Sequence, residues 1–417
     1  MVLLGRSARM DVGFRKSLYL PKNAWILALT ATIWSIGGSL VNPFQSIYFS
    51  ALGASPIFIG QLLAIGSAIT ALTQLVGGYV ADIWGRRKVV VVFSSVSAVS
   101  AFAYIFIGQY NLLIFPIVLA SIAGLYSPAF NAMLTESMEP DLRPRGIASF
   151  TLVTSIPSIF CPYFGGLLMG MYGSVAGLRL AFFFSGLFGV IGVSYRTWKL
   201  TETYSGIKIK ETRGIFEFLS DLTKDISFAL KHASNGAKKL LIYSVLASLG
   251  TGMTTPYTSI YLVNSLGLQP EFYGLLTNVT GLISVLLLLP ATRLVERIGL
   301  KKSTIYASLS VPFNQLIFVR AKGTDDFVTW SAVGGASAAW LGPSVTALQA
   351  NLSPREMRGR MMAIFSFFSL ITAIPAQLLG GYLYYGFGPL ATFLASIPVF
   401  ILSVLPLTRI KDGYRNE

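Results

Sequence analysis

The chain has 417 residues, of which 53% are hydrophobic and 12% charged, with a mean hydropathy of +0.66 and a net charge of +15. That balance lies outside the range of a soluble domain of this length and describes an integral membrane protein. With one histidine and one cysteine, Cys161, the chain builds neither an intramolecular disulfide nor a His/Cys metal site, and it carries no Gly-x-x-x-x-Gly-Lys-Ser/Thr loop for direct ATP use.

Residues 1–22 carry Arg6, Arg9, Arg15, Lys16 and Lys22 without an apolar core or a small-residue cleavage site, which reads as a retained cationic tail. Roughly 20 apolar residues cross a ~30 Å hydrocarbon core. Twelve segments of that order follow: 23–50, 57–81, 88–108, 112–135, 147–170, 178–198, 239–263, 270–292, 303–320, 327–350, 361–385 and 389–408. The least apolar is 303–320, with Pro312, Asn314 and Gln315. Lys and Arg collect in cytoplasmic loops, and placing both termini in the cytoplasm leaves only Arg179, Arg320 and Lys322 of the 32 outside. The same asymmetry accounts for the net charge without nucleic acid, because the cations spread over one membrane face, where they meet anionic lipid.

In the first segment Trp34, Gly38, Asn42 and Gln45 are spaced by four, four and three residues and share one helical face, which either lines a cavity or bonds a neighbouring helix. Pro43 should kink this helix or expose backbone acceptors. Between the second and third segments runs Gly77-Gly-Tyr-Val-Ala-Asp-Ile-Trp-Gly-Arg-Arg-Lys88. Asp82 sits in the last turn of its helix, where an ionised carboxylate needs a nearby cation, with Arg86 and Arg87 as candidates. Gly85 allows the reversal and Gly78 the close approach of another helix. Glu136 ends the fourth segment in the same manner as Asp82.

Residues 199–238 form a polar linker in which Ile215, Phe218, Leu219, Leu222, Ile226 and Leu230 recur at helical spacing, the pattern of an interfacial amphipathic helix; His232 is expected to be solvated. After it the first half repeats. Pro43-x-x-Ser-Ile-Tyr48 recurs as Pro256-x-x-Ser-Ile-Tyr261, Leu52-Gly53 as Leu266-Gly267, and Pro56-x-Phe-x-Gly60 as Pro270-x-Phe-x-Gly274. Asp82 maps to Glu296, Gly85 to Gly299 and Arg87-Lys88 to Lys301-Lys302, while Leu300 and Thr292 replace Arg86 and Gly78. A parallel duplication of six helices follows. The expected fold is an all-α integral membrane protein of twelve transmembrane helices in two pseudo-symmetric six-helix bundles, 23–198 and 239–408, with the linker 199–238 and cytoplasmic tails 1–22 and 409–417.

The string Gly78-x-x-Ala-Asp82-x-x-Gly85-Arg86-Arg87-Lys88, placed after the second apolar segment, resembles the loop 2–3 signature of the major facilitator superfamily of secondary transporters. The resemblance implies alternating access between the halves and a latch of the outward-open state at this loop. The latch set is Gly78, Asp82, Gly85, Arg86, Arg87 and Glu136, with Glu296 and Gly299 as a degraded second copy. Pro162-x-x-Gly165-Gly166 is similar to the end of a motif of drug/proton antiporters in the family, with Cys161 and Pro157 where that motif has glycines. The resemblance further implies that the first and fourth helices of each half line a central cavity. Trp34, Asn42, Gln45, Tyr48, Tyr126 and Asn131 then face Thr255, Thr258, Tyr261, Trp340 and Thr346 as the substrate site.

Apart from the carboxylates at helix ends, no ionisable Asp, Glu, His, Lys or Arg falls in the middle of an expected span, where such groups usually mark ion pathways. Glu271, Asp325 and Asp326 suit the positive ends of helix dipoles. The expectation is a non-enzymatic, cofactor-free transporter in the cell membrane, a monomer in contact with membrane lipid. Its substrate is a small neutral or amphipathic solute. Export of hydrophobic compounds is preferred on the fifth-segment motif, the alternative being uptake of a neutral metabolite such as a sugar, and a receptor or channel the minority reading. Coupling protons, if used, depend on Asp82 or Glu136; facilitated diffusion stays open.

Overall fold

The computed structural model describes residues 19–203, 224, 226–228, 230–353 and 357–410. Twelve long helices follow one another: α1 (Lys22–Ala51), α2 (Pro56–Trp84), α3 (Arg86–Ile105), α4 (Tyr110–Glu136), α5 (Arg143–Tyr172), α6 (Ser174–Lys199), α7 (Asn235–Ile260, continued by a π-helical turn Tyr261–Ser265), α8 (Pro270–Ile298), α9 (Leu300–Arg320), α10 (Thr324–Leu352), α11 (Arg358–Gly386) and α12 (Pro389–Thr408). Each expected segment corresponds to one of them. Most of the expected amphipathic linker helix, 204–223, lies outside the described residues; Ile226 and Leu230 pack against the core of the second half, and His232 is exposed.

Nine of these helices are long and apolar enough to cross a membrane by composition alone; α7, α9 and α10 fall short. Their polar groups are met within the bundle. In α9, Asn314 donates to the Trp330 carbonyl of α10 at 2.9 Å and accepts from its indole at 3.2 Å, while Ser303 and Ser344 bond at 3.2 Å. Satisfying such groups inside the protein lets a polar helix stand in hydrocarbon. At Pro43 the chain changes from α-helix to a 3-10 turn, Asn42–Phe44, before helix resumes at Gln45.

The duplication extends to the backbone. All six glycines with positive φ among the described residues fall into three pairs, Gly53 with Gly267, Gly85 with Gly299, and Gly173 with Gly388, separated by 214, 214 and 215 residues. At φ +87° and +88°, Gly85 and Gly299 end α2 and α8, in a region that a Cβ disfavours. Contacts repeat as well: α1 packs on α5 and α6 as α7 packs on α11 and α12, and α3 packs on α4 and α6 as α9 packs on α10 and α12.

Two seams, α2 with α11 and α5 with α8, join the halves. Both are tightest at the face opposite Tyr19 and Ile410, the first and last described residues; this is called the distal face and the other the terminal face. A Cβ on Gly60 would lie 2.5 Å from the Gln377 carbonyl oxygen, and one on Gly381 2.6 Å from that of Pro56. In the other seam a Cβ on Gly166 would lie 2.4 Å from the Pro270 carbonyl oxygen, and one on Gly274 2.5 Å from that of Pro162. Asn264 donates to Ser50 at 3.0 Å across the same face.

The cores divide accordingly. At the distal face one cluster runs through both halves, from Phe44, Tyr48 and Phe182 to Tyr257, Phe318 and Phe393. At the terminal face there are two clusters, one around Leu27, Val89 and Met133 and one around Leu240, Leu348 and Phe365. Five successive residues of α8, Leu286 to Pro290, are exposed there. Exposure around more than a full helical turn means that this stretch has no partner on its inner side. The molecule is closed at the distal face and open at the terminal face.

Because the glycine contacts are made only when the distal face is shut, Gly274→Val should disfavour this conformation by about 1–3 kcal/mol, the usual penalty of overpacking. Double electron–electron resonance between labels at the distal ends of α5 and α8 should show a longer-distance population; a distribution identical to that of the parent protein would rule the seam out as the closing element.

Candidate functional site

Where the two halves meet, below the distal closure, lies a cavity of about 440 Å³. The α1 break places Asn42, Pro43, Gln45 and Ser46 on one wall. Opposite, α7 contributes Thr251, Gly252, Thr255, Pro256 and Ser259, so the two prolines of the repeat face the cavity from different halves. A proline at 256 removes the amide that would bond the Gly252 carbonyl, leaving that oxygen as an acceptor. Helices α8 and α11 complete the wall with Tyr273, Ser369 and Gln377.

Two glutamines are held with one amide atom to spare. Gln45 donates through Nε2 to the Tyr104 hydroxyl at 3.1 Å, and its Oε1 accepts no bond among the described residues. Tyr104 is itself fixed, accepting at its carbonyl from Tyr48 at 2.7 Å and stacking on Phe182 with ring centroids 4.4 Å apart. Gln377 accepts from Ser67 at Oε1, 3.1 Å, and its carbonyl accepts from Tyr257 at 2.7 Å, which leaves Nε2 as a donor. Among the described residues that line the cavity there is no Asp, Glu, His, Lys or Arg. A neutral apolar pocket with a few anchored donors and acceptors recognises a neutral or amphipathic molecule.

The structure brings three of the expected substrate residues, Asn42, Gln45 and Thr255, to this cavity. The others lie elsewhere. Tyr48 is fully buried behind Gln45, and Tyr261 packs against Phe318 and Phe393. Thr258 donates to the Thr254 carbonyl within its helix. Trp34 lies against Gly189 and Gly192 of α6, and Trp340 donates to Ser303 at 2.7 Å, binding α10 to α9. Asn131 and Thr346 are exposed outside the cavity lining. Gln377, Ser369 and Tyr273 are lining residues that sequence reasoning missed; the one available signal was Gln377, an amide in an otherwise apolar stretch of α11.

Tyr126 has a different neighbour, Arg196. This arginine, near the inner end of the expected segment 178–198, is 3% exposed inside the first half. Its Nε donates to Thr30 at 2.9 Å and its NH1 to Ser94 at 2.6 Å, and the guanidinium lies 5.2 Å from the Phe130 ring centroid and 6.0 Å from that of Tyr126. Hydroxyls, aromatic faces and the negative end of α6 replace a counter-ion.

At the α2–α3 turn Arg86 pairs with Glu136, joining α3 to α4. Asp82, expected to need a cation, is exposed and makes no ion pair or hydrogen bond among the described residues; water screens it. Arg87 turns away from both carboxylates and donates through NH2 to the Thr197 carbonyl at 2.7 Å, while its backbone amide donates to Glu202 at 3.0 Å. The close helix approach is made at Gly77, where a Cβ would lie 2.8 Å from the Leu125 carbonyl oxygen, whereas Gly78 faces open space. Glu296 is exposed at the equivalent end of α8, before Gly299.

The family model of the Major Facilitator Superfamily matches residues 27–236 and 240–415. The chain belongs to this superfamily and is one of its multi-pass membrane transporters. It is 20% identical over 286 residues to an uncharacterised MFS-type transporter of Methanocaldococcus jannaschii, covering 67% of this chain and 70% of that one. It is 23% identical over 383 residues to the multidrug resistance protein MdtG of Escherichia coli O9:H4 (strain HS), covering 88% and 89%. Among solved structures, the nucleoside transporter NupG superposes with a TM-score of 0.72 at 14% identity, over 94% of this chain and 99% of that chain.

If the spare Oε1 of Gln45 anchors a ligand, Gln45→Ala should weaken binding about tenfold, the loss of one buried hydrogen bond, with a melting temperature within a few degrees of the parent. Isothermal titration and thermal unfolding on the same preparation separate the outcomes. Unchanged affinity with a lower melting temperature would make Gln45 a helix-packing residue.

Proposed function

We propose that the protein exports neutral or amphipathic hydrophobic compounds across the cell membrane by alternating access, with its terminal face in the cytoplasm. The observation that carries this reading is the cavity: neutral amides, hydroxyls and one tyrosine on an apolar background, without a fixed charge to hold a compact ion. Likeness to a multidrug resistance protein along most of both chains supports export, as does the Pro162-x-x-Gly165-Gly166 stretch. Orientation rests on the cations. Among the described residues, the Lys and Arg other than Arg179, Arg320, Lys322 and the buried Arg196 lie toward the terminal face, the cytoplasmic bias of multi-pass proteins. The conformation described is then inward-open.

The amides of Asn42, Gln45 and Gln377 favour a second reading, uptake of a neutral polyhydroxylated metabolite such as a sugar. Proteoliposomes with the protein in a single orientation discriminate the two. A neutral hydrophobic dye should move from the terminal to the distal side faster than through protein-free membrane, and a labelled sugar should not. Sugar flux without dye flux would replace export by uptake.

In this reading the α2–α3 turn latches the outward-open state, in which Asp82 finds the cation that it lacks here. Asp82→Asn should therefore leave the melting temperature nearly unchanged while shifting the population toward the inward-open form and cutting dye transport by an order of magnitude, about 1.4 kcal/mol of bias. Full transport with an unaltered inward/outward distribution would remove Asp82 from the mechanism. Proton-driven accumulation, if present, should fail in the Asp82→Asn/Glu136→Gln double variant.

A further inference from the structure

Arg86 and Arg87 are adjacent in sequence and serve different partners. Arg86 turns inward to Glu136, whereas Arg87 lies over the end of α6, fixed by the Thr197 carbonyl. Beside Arg87 a groove of about 510 Å³ opens on the outer surface of the first half, with Lys88 at its mouth and Val91 and Val92 along its floor. Lys88 is exposed and makes no hydrogen bond or ion pair among the described residues. Ile83 and Trp84, 45% and 55% exposed, form the other rim.

The chemistry is graded with depth. Val91 and Val92 follow Arg87 by four and five residues, roughly 6 Å further along α3 at 1.5 Å per residue, so the cations sit at the helix end and the apolar floor reaches toward the hydrocarbon. Trp84 and the 74% exposed Trp198, whose ring lies 3.6 Å below the Lys199 ammonium, mark the depth at which interfacial tryptophans collect. Among the described residues two carboxylates are near. Glu202 is engaged with the Arg87 amide and so caps the start of α3, and Asp82 is outside the groove lining. Beyond the Arg87 bond to the Thr197 carbonyl, the side chains of Arg87 and Lys88 have no carboxylate partner among the described residues and are open to an anion arriving from the membrane side.

We propose that this groove binds an anionic phospholipid, its phosphate on Arg87 and Lys88 and an acyl chain along Val91 and Val92. A free phosphate shares the headgroup chemistry but gains nothing from the valine floor, and a zwitterionic lipid lacks the net charge that two adjacent cations select. The bound lipid ties the α2–α3 turn to the end of α6 through the membrane, independently of which solute the protein carries.

The full chain in neutral detergent is titrated with phosphatidylglycerol, with phosphatidylcholine and with inorganic phosphate, following the melting temperature, and lipid retention is read by native mass spectrometry. Phosphatidylglycerol should raise the melting temperature and stay bound, and the other two should not. Arg87→Gln/Lys88→Gln should require roughly tenfold more phosphatidylglycerol for the same rise, on the order of the effect of one or two interfacial cations. Lys301→Gln/Lys302→Gln, the same charge change at the equivalent turn of the second half, should respond as the parent does. Lys88→Gln alone, at a side chain without a partner among the described residues, covers the case in which the double variant does not fold. Equal losses in the two double variants would reduce the effect to general surface charge. An undiminished response in the Lys88 and Arg87/Lys88 variants, or stabilisation by inorganic phosphate alone, would overturn the lipid site.

Discussion

Backbone-to-backbone contact across two glycine-lined seams is the constraint on which this structure turns. In hydrocarbon, helices gain nothing by hiding apolar side chains from one another, because the lipid is equally apolar; association depends on packing and on hydrogen bonds. At the distal ends of α2 and α11, and of α5 and α8, glycines allow carbonyls to approach to distances that any Cβ would block. Closure there merges the distal cores into one, while the terminal cores stay separate. The open face and the cavity are consequences of where those glycines stand.

The cavity's neutrality depends on where the first half keeps its charges. Arg196 is buried in that half away from the cavity, its charge held by hydroxyls and aromatic faces. Arg86 is taken by Glu136 at the helix ends. What remains at the centre are amides with one group committed to the scaffold and one free. The commitment matters for recognition, since an amide pre-fixed by Tyr104 or Ser67 loses little conformational freedom on binding a ligand.

The fold was legible because its determinants are local or periodic. Apolar length, loop charge and the 214-residue repeat each announce themselves along the chain, and the glycine pairs carry the repeat into backbone conformation. Half of the site was not. Asn42, Gln45 and Thr255 could be found as polar residues on helices next to the repeated prolines. Tyr48 and Tyr261 carry polar tips on large rings, and the rings won: both are packed in aromatic clusters. Gln377 and Tyr273 reach the cavity only because α8 and α11 cross the seams, a tertiary fact with no periodic signature. Arg196 was not legible for a related reason: its burial depends on Thr30, Ser94 and Phe130 from three other helices.

The repeat also exposes an inequality between the seams that symmetry alone would hide. Ile57 follows Pro56 in α2, and its mate after Pro270 in α8 is Glu271. Ile57 approaches Gly381 through its Cα, as Glu271 approaches Gly166, and Glu271 in addition lays its carboxylate on α5, where a Cβ at Gly170 would meet Oε2 at 2.6 Å. That oxygen is buried and has no hydrogen-bond partner among the described residues. A desolvated polar atom without a partner detracts from the packing around it, and separating α5 from α8 would return it to water. Two backbones that close almost identically therefore differ in the side chain they carry at the seam. Distal opening would expose a carboxylate oxygen at α5–α8 that has no counterpart at Ile57.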